Sequence, residues 1–376
     1  MLSHYPVIAM NLVCMLVLLA NPVHAQEGAT PPPVSLPGTE VRSILSSHTG
    51  EQYDIYIQPV GSAASDERYP VVYILDAQWD FPMVTGIYGG LNYDEFMPNV
   101  ILVGITYNGE SPDYGTLRAM DMTPTSVEHV PGSGRAPRFL AFIKEELIPF
   151  IESKYNADPA GRTLMGSSYG GLFTLYALFH EPDLFDRYVA PSSALHWDNG
   201  IIFQYEEALA QERSDLPIRL FLTAGEYEGE GMIKPMKTLE QTMTSRNYPS
   251  LRMKTDVVKS IRHASIKPES FTRGLSFVFA PDTVSLAPEL LESIVGEYKL
   301  DIPPPEEITL AITKEGSQLF IESQWDWGKI ELFAESDTSF FFKEFNGRIT
   351  AERNESDEIR KLKINLGDIL TAYRID

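Results

Sequence analysis

The sequence predicts an α/β protein with a mainly parallel central sheet, followed by a small antiparallel β domain. Three observations predict it. Between residues 53 and 279, short β-branched and apolar runs alternate with stretches of helical periodicity, the rhythm of a parallel sheet whose crossovers are helices. One strand-to-helix transition carries Gly166, Ser168 and Gly170 in the spacing G-x-S-x-G, the pattern of a serine exposed on a sharp turn. After Pro281 the rhythm changes to short alternating segments.

The chain of 376 residues suits one large domain and one smaller one; the expected divisions are residues 39–283 and 288–376. Residues 1–25 read as an export signal. Residues 7–20 are mostly apolar, and Val23-His24-Ala25 is a small-residue pattern before Gln26, although no Lys or Arg precedes the apolar run. That run is short for a bilayer, so no stable membrane span is expected after cleavage. Residues 1–25 contain no Asp, Glu, Lys or Arg but hold the one cysteine, Cys14. The mature chain therefore keeps the net charge of −22 and has no thiol. It tolerates an oxidising compartment without needing a disulfide, and a periplasmic or secreted location is expected. The charge repels phosphate backbones, which argues against a nucleic-acid partner. Residues 26–38, with four prolines, form a linker or arm.

Residues 53–60, 69–75 and 99–107 read as strands, the last two as buried central ones. Residues 113–135 are polar with Pro and Gly and read as a long loop. In residues 136–155, Phe139, Phe142, Ile143, Leu147, Phe150 and Ile151 share a helical face, with a kink expected at Pro149. Residues 163–165 supply a strand before the serine turn. Leu172, Leu175, Tyr176 and Phe179 continue as a helix until Pro182. Residues 185–190, 218–223 and 251–258 read as further strands, and 202–211 and 269–279 as helices. In the C-terminal domain, strands are expected at 308–313, 319–323, 329–334, 339–345, 348–353 and 360–366, with turns at Glu315-Gly316 and Asn346-Gly347. Trp325, Trp327 and Phe340-Phe341-Phe342 are read first as core, with a binding face as the alternative.

A serine hydroxyl needs a neighbouring base, itself oriented by a third group. In the G-x-S-x-G arrangement the order along the chain is Ser, then Asp or Glu, then His. Of His48, His129, His180, His196 and His263, only the last three follow Ser168, and only His263 also follows the last α/β strand. Strand 218–223 is followed by Ala-Gly-Glu-Tyr-Glu-Gly-Glu, which offers Glu226, Glu228 and Glu230. Glu228 is the first choice for the acid and Glu226 the second. An oxyanion hole needs two backbone donors; the Tyr169 and Gln78 amides are the candidates. No metal-ligand spacing, Walker loop or dinucleotide fingerprint is evident, so no metal and no cofactor are expected.

On these residues, about 40 to 280 resemble the putative-esterase family of α/β-hydrolases, which includes siderophore esterases, feruloyl esterases, S-formylglutathione hydrolases and mycolyltransferases. The matching pieces are Pro70-Val-Val-Tyr-Ile-Leu-Asp76, Arg118 with Asp121-Met-Thr-Pro124, and Phe139-Leu-Ala-Phe-Ile-Lys-Glu-Glu-Leu-Ile-Pro149. They continue with residues 162–171, Ser192-Ser-Ala-Leu-His-Trp-Asp-Asn199, and the His263 segment running into 271–279. The resemblance implies an α/β-hydrolase fold, Ser168 as nucleophile, His263 as base, a Glu after Gly225 as acid, and Gln78 with Tyr169 at the oxyanion. Ala77 stands where the family usually has Gly, and His196 where it often has an aromatic. Trp79, His196 and Trp197 are the candidates for lining a substrate cleft. The expectation is a secreted serine hydrolase acting on a small-molecule carboxylic ester. The alternatives are an acyltransferase or peptidase of the same fold, or a non-catalytic binding protein on a hydrolase scaffold.

Overall fold

The computed structural model describes residues 34–60, 67–303, 307–323, 328–345 and 347–375. The export signal, most of the Pro-rich arm, Trp325, Trp327 and Asn346 lie outside them. The main compact unit begins at Gly38.

An eight-stranded sheet forms its first part. The strands are β1 (Glu40–Leu45), β2 (Gln52–Gln58), β3 (Tyr69–Ile74), β4 (Ile101–Tyr107), β5 (Ala157–Met165), β6 (Arg187–Pro191), β7 (Arg219–Gly225) and β8 (Arg252–Val258), in the order β1-β2-β4-β3-β5-β6-β7-β8. From β4 to β8 every pairing is parallel; β1 and β2 add antiparallel pairings at one edge. All seven residues of β4 are buried, as a central strand covered on both faces requires.

The helices are α1 (Ala77–Tyr93), α2 (Tyr114–Met122), α3 (Ala136–Phe142), α4 (Ile148–Lys154), α5 (Tyr169–His180), α6 (Ile201–Glu212), α7 (Glu230–Ser245), α8 (Lys267–Phe279) and α9 (Pro288–Ile294). The stretch expected as a loop at 113–135 instead contains α2. Asp113 caps it by accepting from the Thr116 N–H at 3.1 Å, a local signal that the polar composition hid. The helix expected over 136–155 is α3 and α4 joined by one π turn, Ile143–Leu147. That wider turn, in which the Ile148 N–H reaches back to Ile143 O, precedes Pro149 and makes room in the helix for a residue with no N–H to donate.

The C-terminal strands are β9 (Gly296–Leu300), β10 (Thr309–Glu315), β11 (Gln318–Ser323), β12 (Lys329–Ala334), β13 (Ser339–Phe341), β14 (Arg348–Arg353), β15 (Ile359–Asn365) and β16 (Ile369–Arg374). Each pairs antiparallel with the next, and β16 pairs with β9 to close a barrel. The strand expected over 339–345 ends at Phe341. The inward residues form their own core, including Tyr298, Ile312, Phe340, Phe342, Ile349 and Leu362, so Phe340 and Phe342 fill the barrel. Among the described residues, no helix is long and apolar enough to cross a membrane.

Candidate active site

Ser168 sits between β5 and α5 with φ 62° and ψ −116°. A non-glycine residue at positive φ is strained and persists only where its surroundings over-determine it. Here they do. The Ser168 N–H donates to Pro191 O at 3.2 Å, and its carbonyl accepts from Leu172 N at 2.9 Å and Ala194 N at 3.1 Å. The turn also needs a glycine ahead of it, because a Cβ on Gly166 would stand 2.9 Å from the backbone of Gly170. The backbone is fixed while the hydroxyl stays free: among the described residues, Ser168 Oγ has no hydrogen-bond partner.

Glu228 lies at the end of a short 3-10 turn, Glu226–Glu228, directly after β7. His263 lies in the segment joining β8 to α8. Their side chains meet, with His263 Nδ1 2.5 Å from Glu228 Oε1. The second carboxylate oxygen, Oε2, accepts from the Gly225 N–H at 2.6 Å and from Ser192 Oγ at 2.7 Å. The Glu228 side chain is 3% exposed. Burial pushes its pKa up, but the hydrogen bonds from His263, Gly225 and Ser192 outweigh burial and hold it below the usual carboxylate value. An ionised Glu228 thus fixes the Nδ1–H tautomer of His263 and leaves Nε2 for another group. The other two acids are occupied elsewhere. Glu226 accepts from Lys259 Nζ at 3.0 Å and from the Ser260 N–H at 2.8 Å, bracing the neighbouring loop, and Glu230 opens α7.

The Tyr169 N–H is in the first turn of α5 and the Gln78 N–H in the first turn of α1. First-turn amides have no intrahelical acceptor, and among the described residues neither bonds another backbone carbonyl. Gln78 itself is held by Thr106 Oγ1, which donates to its Oε1 at 2.8 Å. The helix N-terminal ends add a favourable field for negative charge.

Around these groups stand aromatic side chains. Tyr169 meets Trp197 edge-on with ring centroids 5.4 Å apart, and Trp197 Nε1 donates to Thr125 Oγ1 at 3.1 Å. Trp197 is buried, whereas His196 is exposed. Trp79 is 49% exposed, with its ring edge-on to Tyr114 at 5.5 Å. The Arg118 guanidinium lies 5.8 Å from the Trp79 centroid and 5.3 Å from that of Tyr169. Arg118 is in turn held by a fully buried Asp76, through Nε to Oδ1 at 2.9 Å and Nη2 to Oδ2 at 2.6 Å. Arg118 and Asp76 stand in motifs singled out in the sequence, but their pairing across 42 residues is not readable from spacing. Ser192, which steadies Glu228 from a backbone at φ 49°, had no signal beyond membership of its motif.

The chain is similar to known proteins. The profile of the family described as "Putative esterase" matches residues 46–260. The ferri-bacillibactin esterase BesA of Bacillus subtilis is 30% identical over 273 residues, covering 68% of this chain and 94% of its own. The crystal structure of the BES protein from Bacillus cereus superposes with a TM-score of 0.61 at 30% identity, over 66% of this chain and 98% of that one. The siderophore hydrolase EstB from Aspergillus nidulans gives 0.58 at 26% identity, over 66% and 98%. With the matched profile spanning more than half of its length, the chain belongs to the putative-esterase family.

Proposed function

We propose that this protein is a serine esterase that hydrolyses small-molecule carboxylic esters through Ser168, His263 and Glu228. The observation that carries the reading is the His263–Glu228 hydrogen bond, made by a buried acid on the loop after β7 and a base on the loop after β8. It accompanies a serine held at positive φ. In this mechanism His263 Nε2 removes the Ser168 proton as Oγ attacks the carbonyl carbon. The Gln78 and Tyr169 amides take up the oxyanion. The alcohol leaves with the proton from His263, and water, activated by the same imidazole, cleaves the acyl-enzyme.

The substrate class follows from the relatives, whose names record ferri-bacillibactin and siderophore hydrolysis. We assign to this chain the ester bonds of a siderophore, with Trp79, Trp197 and His196 at the cleft. The hydrolase part is taken as residues 39–283 and the barrel as an accessory domain from 288. Residues 1–25 are assigned as an export signal, which places the enzyme in the periplasm or outside the cell.

Incubation with a fluorophosphonate, followed by intact and peptide mass spectrometry, tests the chemistry. A single adduct on Ser168 is expected, lost in Ser168→Ala and slowed by at least about 10³-fold in His263→Ala. A folded protein that takes no adduct refutes the esterase reading and leaves a binding protein on the same scaffold. Chromatography of an ester-linked siderophore, with and without ferric ion, then tests the substrate: release of its hydrolysed units is expected.

A further inference from the structure

Two of the segments assigned to the site follow strands on either side of β5. Gln78 follows β3 and His263 follows β8, and three strands, β5, β6 and β7, lie between those two. Behind them, α1 and α8 pack against each other, and one buried ion pair joins their first turns. Lys267, the first residue of α8, donates from Nζ to both carboxylate oxygens of Asp80 at 2.8 and 3.1 Å. Asp80 is fully buried, and Lys267 is 17% exposed. Asp80 is two residues beyond Gln78, and Lys267 is four beyond His263, so each partner sits within about one turn of a proposed catalytic group. The intervening turn is tight: the Ile266 N–H donates to Arg262 O at 3.1 Å, and the Ser270 N–H to Ile266 O at 3.0 Å. Lys267 Nζ also lies 5.8 Å from the Trp79 centroid.

We propose that the Asp80–Lys267 pair is a positioning clamp that fixes the Gln78 amide and the His263 imidazole relative to each other across Ser168, so that neutralising Asp80 slows turnover. The inference rests on the roles given above to Ser168, His263 and Gln78. An apolar contact between α1 and α8 would hold the helices together equally well. A buried pair does something different, because breaking it leaves an uncompensated charge that the surroundings must move to solvate.

The charges facing Asp80 are Lys267 on α8, Arg118 on α2 and Asp76 at the start of α1. Burial raises the Asp80 pKa from 3.8 to about 6, against the pull of Lys267; Asp76 raises it further and Arg118 lowers it. The ionised form is therefore less favoured than in water, though still the main one at neutral pH, and it is lost as pH falls through about 6.

The acid limb of kcat/KM therefore carries the protonation of Asp80 on top of that of the general base. With p-nitrophenyl butyrate as probe, the plot of log kcat/KM against pH is expected to exceed, near pH ~6, the slope of about 1 that one titrating base gives, and to return towards 1 at lower pH, because protonating Asp80 slows turnover without abolishing it. Asp80→Asn should return the limb to a slope of about 1. At pH 8 it should lower kcat by roughly 10- to 100-fold with KM within about twofold, as expected when geometry is lost without loss of binding. Lys267→Met keeps the stem and removes the charge, and should lower kcat similarly while moving the acid limb to higher pH. The double variant Asp80→Asn/Lys267→Met, with circular dichroism to establish folding, covers the case in which either single variant unfolds; it leaves neither charge uncompensated and should show the slope of 1 with part of the lost kcat recovered. A wild-type limb of slope 1 throughout, or folded single variants with wild-type kcat, overturns the clamp. Fluorophosphonate labelling of the wild type separates the two failures: a labelled wild type with unaffected variants overturns the clamp alone, and an unlabelled wild type overturns the esterase reading and the clamp with it.

Discussion

Glu228 has two donors on one oxygen and an imidazole on the other, and that division decides what each neighbour does. The Gly225 N–H is fixed by the backbone, whereas the Ser192 hydroxyl is a side chain that can be removed. Ser192→Ala leaves Glu228 ionised at neutral pH but free to rotate away from His263. We expect kcat to fall about tenfold with KM nearly unchanged, since one neutral-to-charged hydrogen bond is worth roughly 1.5–3 kcal/mol and only part of it bears on orientation. Steady-state kinetics on the folded variant checks this; an unchanged kcat would mean that Gly225 alone sets the carboxylate. Residues of this kind mark the limit of what the sequence discloses. That Ser168, Glu228 and His263 follow β5, β7 and β8 was legible because chain order and the ends of apolar runs restrict the choices sharply. Which of Glu226 and Glu228 turns inward after β7 is set by the 3-10 turn that holds both, and composition carries no signal for it. The Asp76–Arg118 and Asp80–Lys267 pairs were not legible as pairs, because they join residues 42 and 187 positions apart.

Among the elements, α1 is the one whose position matters most to the site and the one least visible beforehand. It contains Pro82, Gly86, Gly89 and Gly90, residues that weaken a helical pattern, and the same reasoning hides α7 behind Pro235. The buried strands were far plainer, since β-branched apolar runs in a parallel sheet need no alternation to be seen. What seats α1 is a glycine on the neighbouring strand. A Cβ on Gly104 of β4 would stand 2.6 Å from Phe81 Cδ2 and 2.7 Å from Ala77 Cβ, and Ala77 adjoins Gln78. Gly104→Ala must therefore lift the first turn of α1. Overpacking of this kind costs about 1–3 kcal/mol. Thermal unfolding should show that loss, and fluorophosphonate labelling should slow about tenfold as the Gln78 amide moves off its position. A variant that loses stability but labels at the wild-type rate would separate α1 packing from the oxyanion donor.

At the level of the molecule, two hydrophobic cores are built independently. One lies around the eight-stranded sheet, the other inside the barrel. The change of rhythm after Pro281 announced the second, but its closure was not readable, because the pairing of β9 with β16 joins the two ends of the domain. Separate cores imply separate unfolding. Leu362 is fully buried in the barrel, and Leu362→Ala should cost about 2–5 kcal/mol there. Calorimetry is expected to show one transition moving down and the other unchanged, with Ser168 labelling at 25 °C unaffected. A single transition that moves as a whole would show that the domains unfold together.

The barrel's closure has one more consequence. Arg374 on β16 is paired opposite Tyr298 on β9, and the Ile375 N–H donates to Glu297 O at 2.8 Å, so the domain's last residues lie beside its first strand. Where the chain enters the barrel and where it leaves are neighbours. The domain can therefore be rewired: a short linker joining its ends, with a new opening cut at the Glu315–Gly316 hairpin, would give a circularly permuted barrel with the same eight pairings. A fluorophore attached at the C-terminal end would report on the start of β9 and not on a distant tip.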